Sequence, residues 1–544
     1  MAVVLALLGA GLVAALSSNA SAAPVHRSCD WPMYQHDAAH HAASGCDGIS
    51  QTNVSTLRPA WFAATAGPVT AEPIVADHRV YVGDATGIFR ALDQATGKTT
   101  WTFDVLHNRL HVDRHAAPYG TITSTAATAV VGGVRTVFFA GGGSLYALRA
   151  ADPSKGWARD IDPAEPSSRM EIESSPVVDL STTPPEVIVG DDANQASGVG
   201  QAGVMAFNAQ TGALLWKYEP ETGHVVTPAN SGGTTASALS AGDGHGNGCG
   251  DVWSSPALDP TFGAHGLVVF GVGDCPTSAV LESVVALDPV TGHQVWRFVE
   301  PRNRYDYTTA SIDNDDDFGS SPIITGGLVV EGGKSGYVYG LHEATGTQAW
   351  PAVLAAEPGQ LSPQIVGAVG GFIGSASLGR AGGHPAVFLQ SAIETPLSGT
   401  GVDLTPPPYP PCLGNLTVLP ACPDASLASD PLRSVSLHAV DITTGRVIWH
   451  APLTTPSYAA TSYANGVVFA GSTLQFTAAA YSADTGAPLW RFPLLASPSS
   501  GTSIVGSSVF LGAGTSDGNV QGVVLPPQAF GVWSFSTTVA GGAV

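Results

Sequence analysis

The sequence predicts an all-β fold, an eight-bladed β-propeller whose N- and C-terminal segments close the last blade. Three observations predict it. A motif of fixed register recurs along most of the 544 residues, each full copy carrying a Gly turn followed by a Trp. Spacings between successive Trp residues start at about forty, the length of one four-stranded blade. The composition, with 65 Gly, 40 Pro and only 12% charged residues, suits many short strands joined by turns.

The clearest copy is Ala286-Leu-Asp-Pro-Val-Thr-Gly292-His-Gln-Val-Trp296. Ala91–Gly97–Trp101, Ala206–Gly212–Trp216, Ala439–Gly445–Trp449 and Ala480–Gly486–Trp490 keep its spacing, and Gly340–Gly346–Trp350 does so with Gly leading. A degenerate copy runs from Ala147 to Trp157 with Pro153 where the others have Gly, and Trp61 closes the fragment of an eighth. Apolar/polar alternation on both sides of each Gly suits two strands. The Gly supplies the positive φ of a tight turn, and Thr, Asn or Asp before it brace that turn. A hairpin cannot bury its own Trp, so each unit needs the next, and the indoles read as wedges between sheets.

Taken in order, Met1–Leu16 is an apolar run followed by the small-x-small site Ala20-Ser21-Ala22, which reads as a secretory signal peptide over residues 1–22. Nothing later reaches the apolar length of a membrane span, so the expected location is secreted or extracytoplasmic. Residues 23–60 are an N-terminal polar segment, and 61–522 the propeller. Trp61 would begin the outermost strand of the last blade and pair with strands between about Thr502 and Val520, removing an open edge. In the C-terminal tail, 523–544, the Phe530–Phe535 pattern fits either a final strand or a loose end. Six cysteines suit an oxidising compartment, and proximity pairs Cys29 with Cys46, Cys249 with Cys275, and Cys412 with Cys422. No Cys-x-x-Cys-His occurs, which excludes a covalently attached c-type haem of the usual kind. The net charge of −22 argues against nucleic acid and anionic membranes as partners.

Chemistry concentrates at Tyr305–Gly319, where Asp313, Asp315, Asp316 and Asp317 repel one another unless a cation or proton neutralises them. The position-six Gly and position-twelve Glu of an EF-hand are missing, and a solvated acidic turn is the competing reading. The His36/His40/His41 and His107/His111/His115 groups lack a zinc-protease pattern and read as polar loops. Gly242–Cys249 lacks the Lys-Ser/Thr and following helix of a phosphate loop. The Pro-rich stretch Leu404–Pro423 reads as a rigid surface loop.

With Asp30-Trp-Pro-Met-Tyr-Gln-His-Asp37 and the Ala-x-Asp-x-x-Thr-Gly-x-x-x-Trp repeat, the chain resembles the pyrroloquinoline quinone (PQQ) propellers, the quinoprotein alcohol dehydrogenases and their relatives, from about Asp30 to Gly518. Polyvinyl-alcohol-dehydrogenase-like proteins look closest in the Asp-Phe-Gly and Trp-Ser-Ser-Pro segments. The resemblance implies PQQ and calcium as cofactors, a small-molecule or polymeric alcohol or sugar as substrate, and a separate electron acceptor. It puts the catalytic base on Asp317, the floor under the quinone on Trp253, a quinone contact on Lys334, and metal ligands on Asp274 and Asp317. Read as structure alone, Trp253 is core, Asp274 a turn former and Lys334 an exposed turn. The family's adjacent-cysteine disulfide has no counterpart here. Asp191 to Gly203, where its calcium-binding Glu is expected, offers Asp191, Asp192, Asn194 and Gln195. The alternative is a non-catalytic propeller of the same shape acting as an extracytoplasmic binding or assembly scaffold.

Overall fold

A computed structural model describes residues 29–538 apart from 116, 164–169, 194–201, 236–238, 240–249, 274–281, 302–316, 357–359, 363–364, 367–370, 393–435, 454–456, 472–475 and 516–528. The signal peptide, the Gly242–Cys249 and Pro-rich loops, Asp274, Asp313, Asp315, Asp316 and both later cysteine pairs lie outside the described residues.

The described strands form eight sheets of four or five antiparallel strands, the blades of one ring, plus a two-stranded ribbon. Blade 1 holds Ile74–Ala76, Arg79–Gly83, Ile88–Asp93 and Thr99–Asp104. Blade 2 begins at Ala127–Val131, blade 3 at Val177–Asp179, blade 4 at Ala257–Asp259, blade 5 at Ile323–Thr325, blade 6 at Ser377–Ala381 and blade 7 at Ser462–Ala464. Blade 8 is composite: Thr502–Val505, Ser508–Ala513 and Gly531–Ser536, with Arg58–Ala64 as its outer strand. In the blades built from one continuous run of four strands, strand order puts the two hairpin turns at one end of the ring. The loops entering each blade, and those between its second and third strands, lie at the other.

The closing strand comes from farther along than expected. Arg58–Ala64 pairs not with the 502–520 region but with Gly531–Ser536, so the ring runs past residue 522 into the stretch read as a tail. The reason is that Val532 and Phe535 are wholly buried in the closing core.

Eight indoles hold the ring, and each donates its N–H to a backbone carbonyl of the following blade. Trp61 reaches Gln94 (3.0 Å), Trp101 Ala150 (3.0 Å), Trp157 Ala209 (3.1 Å) and Trp216 Pro289 (2.6 Å). Trp296 reaches Glu343 (2.7 Å), Trp350 Ile442 (2.9 Å), Trp449 Ala483 (2.9 Å), and Trp490 closes the circle on Leu57 (3.2 Å). The repeat glycines have φ near +70° and are also the platforms these rings lie on. A Cβ on Gly346 would sit 2.4 Å from Trp296, and one on Gly445 2.3 Å from Trp350.

Two inner layers add to this. Two positions ahead of the inner strand in blades 1 to 5, a residue donates its N–H to the hydroxyl of its counterpart in the next blade. The bonds run from Glu72 to Thr125 (2.8 Å), then to Ser175 (3.1 Å), Ser255 (2.9 Å), Ser321 (2.9 Å) and Ser375 (2.8 Å). Residues 31–44, read as a separate polar segment, instead line the channel and visit the inner strands in blade order. Trp31 pairs with Val75, Pro32 accepts from Thr128, Ala38 from Leu258, Ala39 from Ile324, His41 from Leu378 and Ala42 from Tyr463, all within 3.0 Å. A Cys29–Cys46 disulfide, the pair expected from proximity, ties the two ends of this strap. The strap satisfies inner-strand edges that would otherwise face an open channel.

Candidate active site

Three short segments enter blades 3, 4 and 5 in the same register: Glu171-Ile-Glu173-Ser-Ser-Pro176, Asp251-Val-Trp253-Ser-Ser-Pro256 and Asp317-Phe-Gly319-Ser-Ser-Pro322. The middle residues Ile172, Val252 and Phe318 are buried between blades. That fixes the flanking residues toward the channel. In each segment the first residue's carbonyl accepts an N–H from the second-to-third-strand loop of its own blade. The donors are Asp192 (2.9 Å), Gly273 (2.7 Å) and Lys334 (2.9 Å). Three carboxylates, Glu171, Asp251 and Asp317, thus occupy equivalent stations on adjacent blades at the end opposite the hairpin turns.

The stations differ in what faces them. Asp317 Oδ2 lies 2.6 Å from Lys334 Nζ, and both side chains are largely shielded from solvent. That ammonium stands 5.1 Å from the Trp253 ring centroid. The other carboxylate oxygen, Asp317 Oδ1, is buried without a hydrogen-bond partner. Trp253 is partly buried, and Gly319 is the residue that makes room for it, since a Cβ there would lie 1.6 Å from the indole.

Opposite stands an acidic wall. Burial pushes Asp251 well above the usual carboxylate range, and Asp192, hydrogen-bonded to it, adds to the shift. Glu173 is raised likewise by burial and by Asp192 and Glu171. The residue is partly exposed as a whole, but its Oε1 is shut off from solvent and unpartnered. Asp191 is pushed up to about 6, chiefly by burial, with the Gly203 N–H on its Oδ1 pulling back. Carboxyls gathered out of water in this way oppose one another's ionisation unless a countercharge stands among them.

The structure brings Asp317, Trp253 and Lys334 together at one end of the channel. Lys334 is not an exposed turn, Asp317 is not solvated, and Trp253 belongs to no apolar core. Asp274 lies outside the described residues. Sequence reasoning missed Glu171, Glu173 and Asp251, although the Ser-Ser-Pro triplet repeated at 174, 254 and 320 aligns all three. His115, read as part of a polar loop, is instead fully buried between Asp113 (3.2 Å) and Asp160 (3.5 Å).

The donor set suits a flat, electron-poor ligand. An indole offers stacking, and a cation and an unpartnered carboxylate oxygen stand beside it. It suits a metal less well, because among the described residues no three carboxylates or imidazoles converge on one point.

Comparison with known proteins bears on the family and the fold. The family model for "glucose/ethanol/alcohol dehydrogenase, beta-propeller domain" matches residues 31–364, and that for "outer membrane protein assembly factor BamB" matches 433–525. Among curated relatives, the dehydrogenase subunit of the quinone alcohol dehydrogenase of Gluconacetobacter polyoxogenes is 28% identical over 306 residues, 52% of this chain and 40% of that one. Its counterpart in Komagataeibacter europaeus is 28% identical over 346 residues, 58% and 44% of the two chains. The chain therefore spans less than half the length of these relatives. Among solved structures, the quinohemoprotein alcohol dehydrogenase ADHIIG of Pseudomonas putida HK5 superposes with a TM-score of 0.66 at 19% identity, covering 94% of this chain and 80% of that one. At that identity the likeness speaks for the fold. No helix among the described residues is long and apolar enough to cross a membrane.

Proposed function

The chain belongs to the glucose/ethanol/alcohol dehydrogenase β-propeller family, and from that premise we propose that it is an exported quinoprotein dehydrogenase oxidising an alcohol or sugar with PQQ. The observation that carries the reading is Asp317, paired with Lys334 through one oxygen and left without a partner on the other, beside the partly buried Trp253.

When bound, PQQ supplies the hydride acceptor. The chain's own groups do the rest. Lys334 engages Asp317 Oδ2 and leaves Oδ1 to take the proton of the substrate hydroxyl as the carbon gives up its hydride. Trp253 offers a flat apolar surface that orients a planar ring by stacking. The strap binds the inner strands around the channel and so helps hold the blades that carry these groups in place. The raised carboxyls of Asp251 and Glu173 keep the wall facing Asp317 partly neutral, which lowers the work of bringing in an anionic quinone. Asp274 and Asp317 would hold a calcium ion, and the electrons would leave to a separate carrier.

The scaffold reading has one specific support, the match of the assembly-factor family to residues 433–525, in blades away from the carboxylates. Titration of the purified protein with PQQ, with and without calcium, separates the two. Dehydrogenase chemistry predicts retained quinone absorbance and dye-linked alcohol oxidation, and Asp317→Asn lowers the rate by about 10²–10⁴-fold while the fold melts as before. No quinone retained at micromolar concentration, under either condition, would leave the scaffold reading standing.

A further inference from the structure

The chain has 21 lysines and arginines over 544 residues, yet Arg79, Arg135, Arg149 and Lys155 line a single cavity of about 300 Å³ with Asp77 and Asp152. It lies between blades 1 and 2 at the hairpin end of the ring, away from Asp317.

Its origin is legible in the repeat. In blade 1 the third and fourth strands are joined by a looped turn, with Asp93 bonded to Gly97 and Lys98, and Gly97 is the platform for Trp61. Blade 2 has Pro153 in place of that Gly. There Arg149 pairs directly with Asp152 across Ala150-Ala151, and the register slips beside it. The shortened turn presents no glycine platform, and the Ala150 carbonyl takes both the Trp101 indole N–H and an Arg79 N–H, each at 3.0 Å.

The charges around it do not balance. Arg135 is held by both oxygens of Asp77 (2.7 and 3.2 Å), and Lys155 lies 3.1 Å from Asp152. Arg149 is exposed and has no ion-pair or hydrogen-bond partner among the described residues, and Arg79 pairs with no carboxylate there. In a chain of net charge −22, two guanidinium groups left without counterions around one concavity call for an anion from outside.

We propose that this cavity binds a phosphate-class dianion, as the free ion or a monoester. Two guanidinium forks match the edges of a tetrahedral oxyanion, and the dianion supplies the two missing charges. The occupant lies at the opposite end of the ring from the Trp253 chamber, so the site is distinct from that of the oxidation.

Calorimetric titration of the full chain at low ionic strength, with inorganic phosphate and with glycerol 3-phosphate, tests this against chloride at matched ionic strength. Saturable binding is expected with both probes and not with chloride, and the tighter probe identifies the source of the phosphate. Arg149→Gln and Arg79→Gln each weaken it about tenfold, and together they abolish it. Arg149 is exposed, so Arg149→Gln tests the site without threatening the fold. No saturable binding beyond chloride, or binding unchanged in Arg149→Gln, overturns the proposal.

Discussion

Asp317, Asp251 and Glu171 share one register position, and Asp317 is the one that faces Lys334. The loop residue that bonds its carbonyl is Lys334, where the equivalents are Gly273 and Asp192. Neighbouring residues, not position, make Asp317 the candidate base and raise the carboxyl of Asp251. Letters alone could not show this, because Lys334 and Asp317 lie seventeen residues apart and meet only through blade geometry. Glu72 makes a sharper case. It sits at the hydroxyl-belt station of blade 1, wholly buried, one oxygen accepting the Gln35 N–H (3.0 Å) and the other unpartnered. Burial pushes its carboxyl up to about 8, with that N–H pulling back. Raised above its unfolded value, it binds more protons folded than unfolded, so its contribution falls as pH climbs from about 4.5 toward 8 and then levels. Glu72→Gln is expected to remove that decline and to stabilise the protein at pH 8 by on the order of 2 kcal/mol. Melting temperatures of both forms between pH 5 and pH 8 check this, and parallel profiles would show that Glu72 does not titrate in the fold.

Among the elements, the Gly–Trp turn was the most legible. Its period, positive φ and inter-sheet indole are all visible in the repeat, because the same local demand recurs in blade after blade. Its second role was not visible. The glycines are contact surfaces for the previous blade's indole, a long-range requirement that spacing does not encode. Two substitutions separate the roles. Gly346 and Gly326 both have positive φ (66° and 58°), but a Cβ on Gly346 would fall 2.4 Å from Trp296, while Gly326 has nothing within 4 Å. Gly326→Ala should therefore cost about 1 kcal/mol, the backbone term alone. Gly346→Ala should cost roughly 3 kcal/mol, because Trp296 must shift and its bond to Glu343 lengthens. Equal losses in melting temperature for the two variants would mean that the indole does not rest on that glycine. The hydroxyl belt was half legible. Ser-Ser-Pro recurs in blades 3 to 5, but Thr125 and Ser375 fill the same station in other contexts.

At the scale of the molecule, closure depends on strands from both ends of the chain. Trp61 pointed to it from sequence, because a docking Trp with no hairpin before it needs borrowed partners. The lender was misplaced, since Gly531–Ser536 is a single six-residue strand beyond a long connection and carries no repeat motif. Arg58–Ala64 pairs with that strand on one side and Ser508–Ala513 on the other, so ending the chain at residue 528 leaves both neighbours with bare edges and deletes Val532 and Phe535 from the core. Bare edges invite pairing with other chains. The truncated protein is therefore expected to melt lower and to associate with rising concentration, seen by calorimetry and size-exclusion chromatography. The strap predicts something further. It bonds to inner strands of blades 1, 2, 4, 5, 6 and 7 and is tied by Cys29–Cys46, so it holds the ring from inside when the closing blade fails. Reduction of that disulfide should then destabilise the truncated chain more than the full-length one, because two devices restraining the same opening are not additive. Equal effects of reduction in the two chains would mean that strap and closing blade act independently.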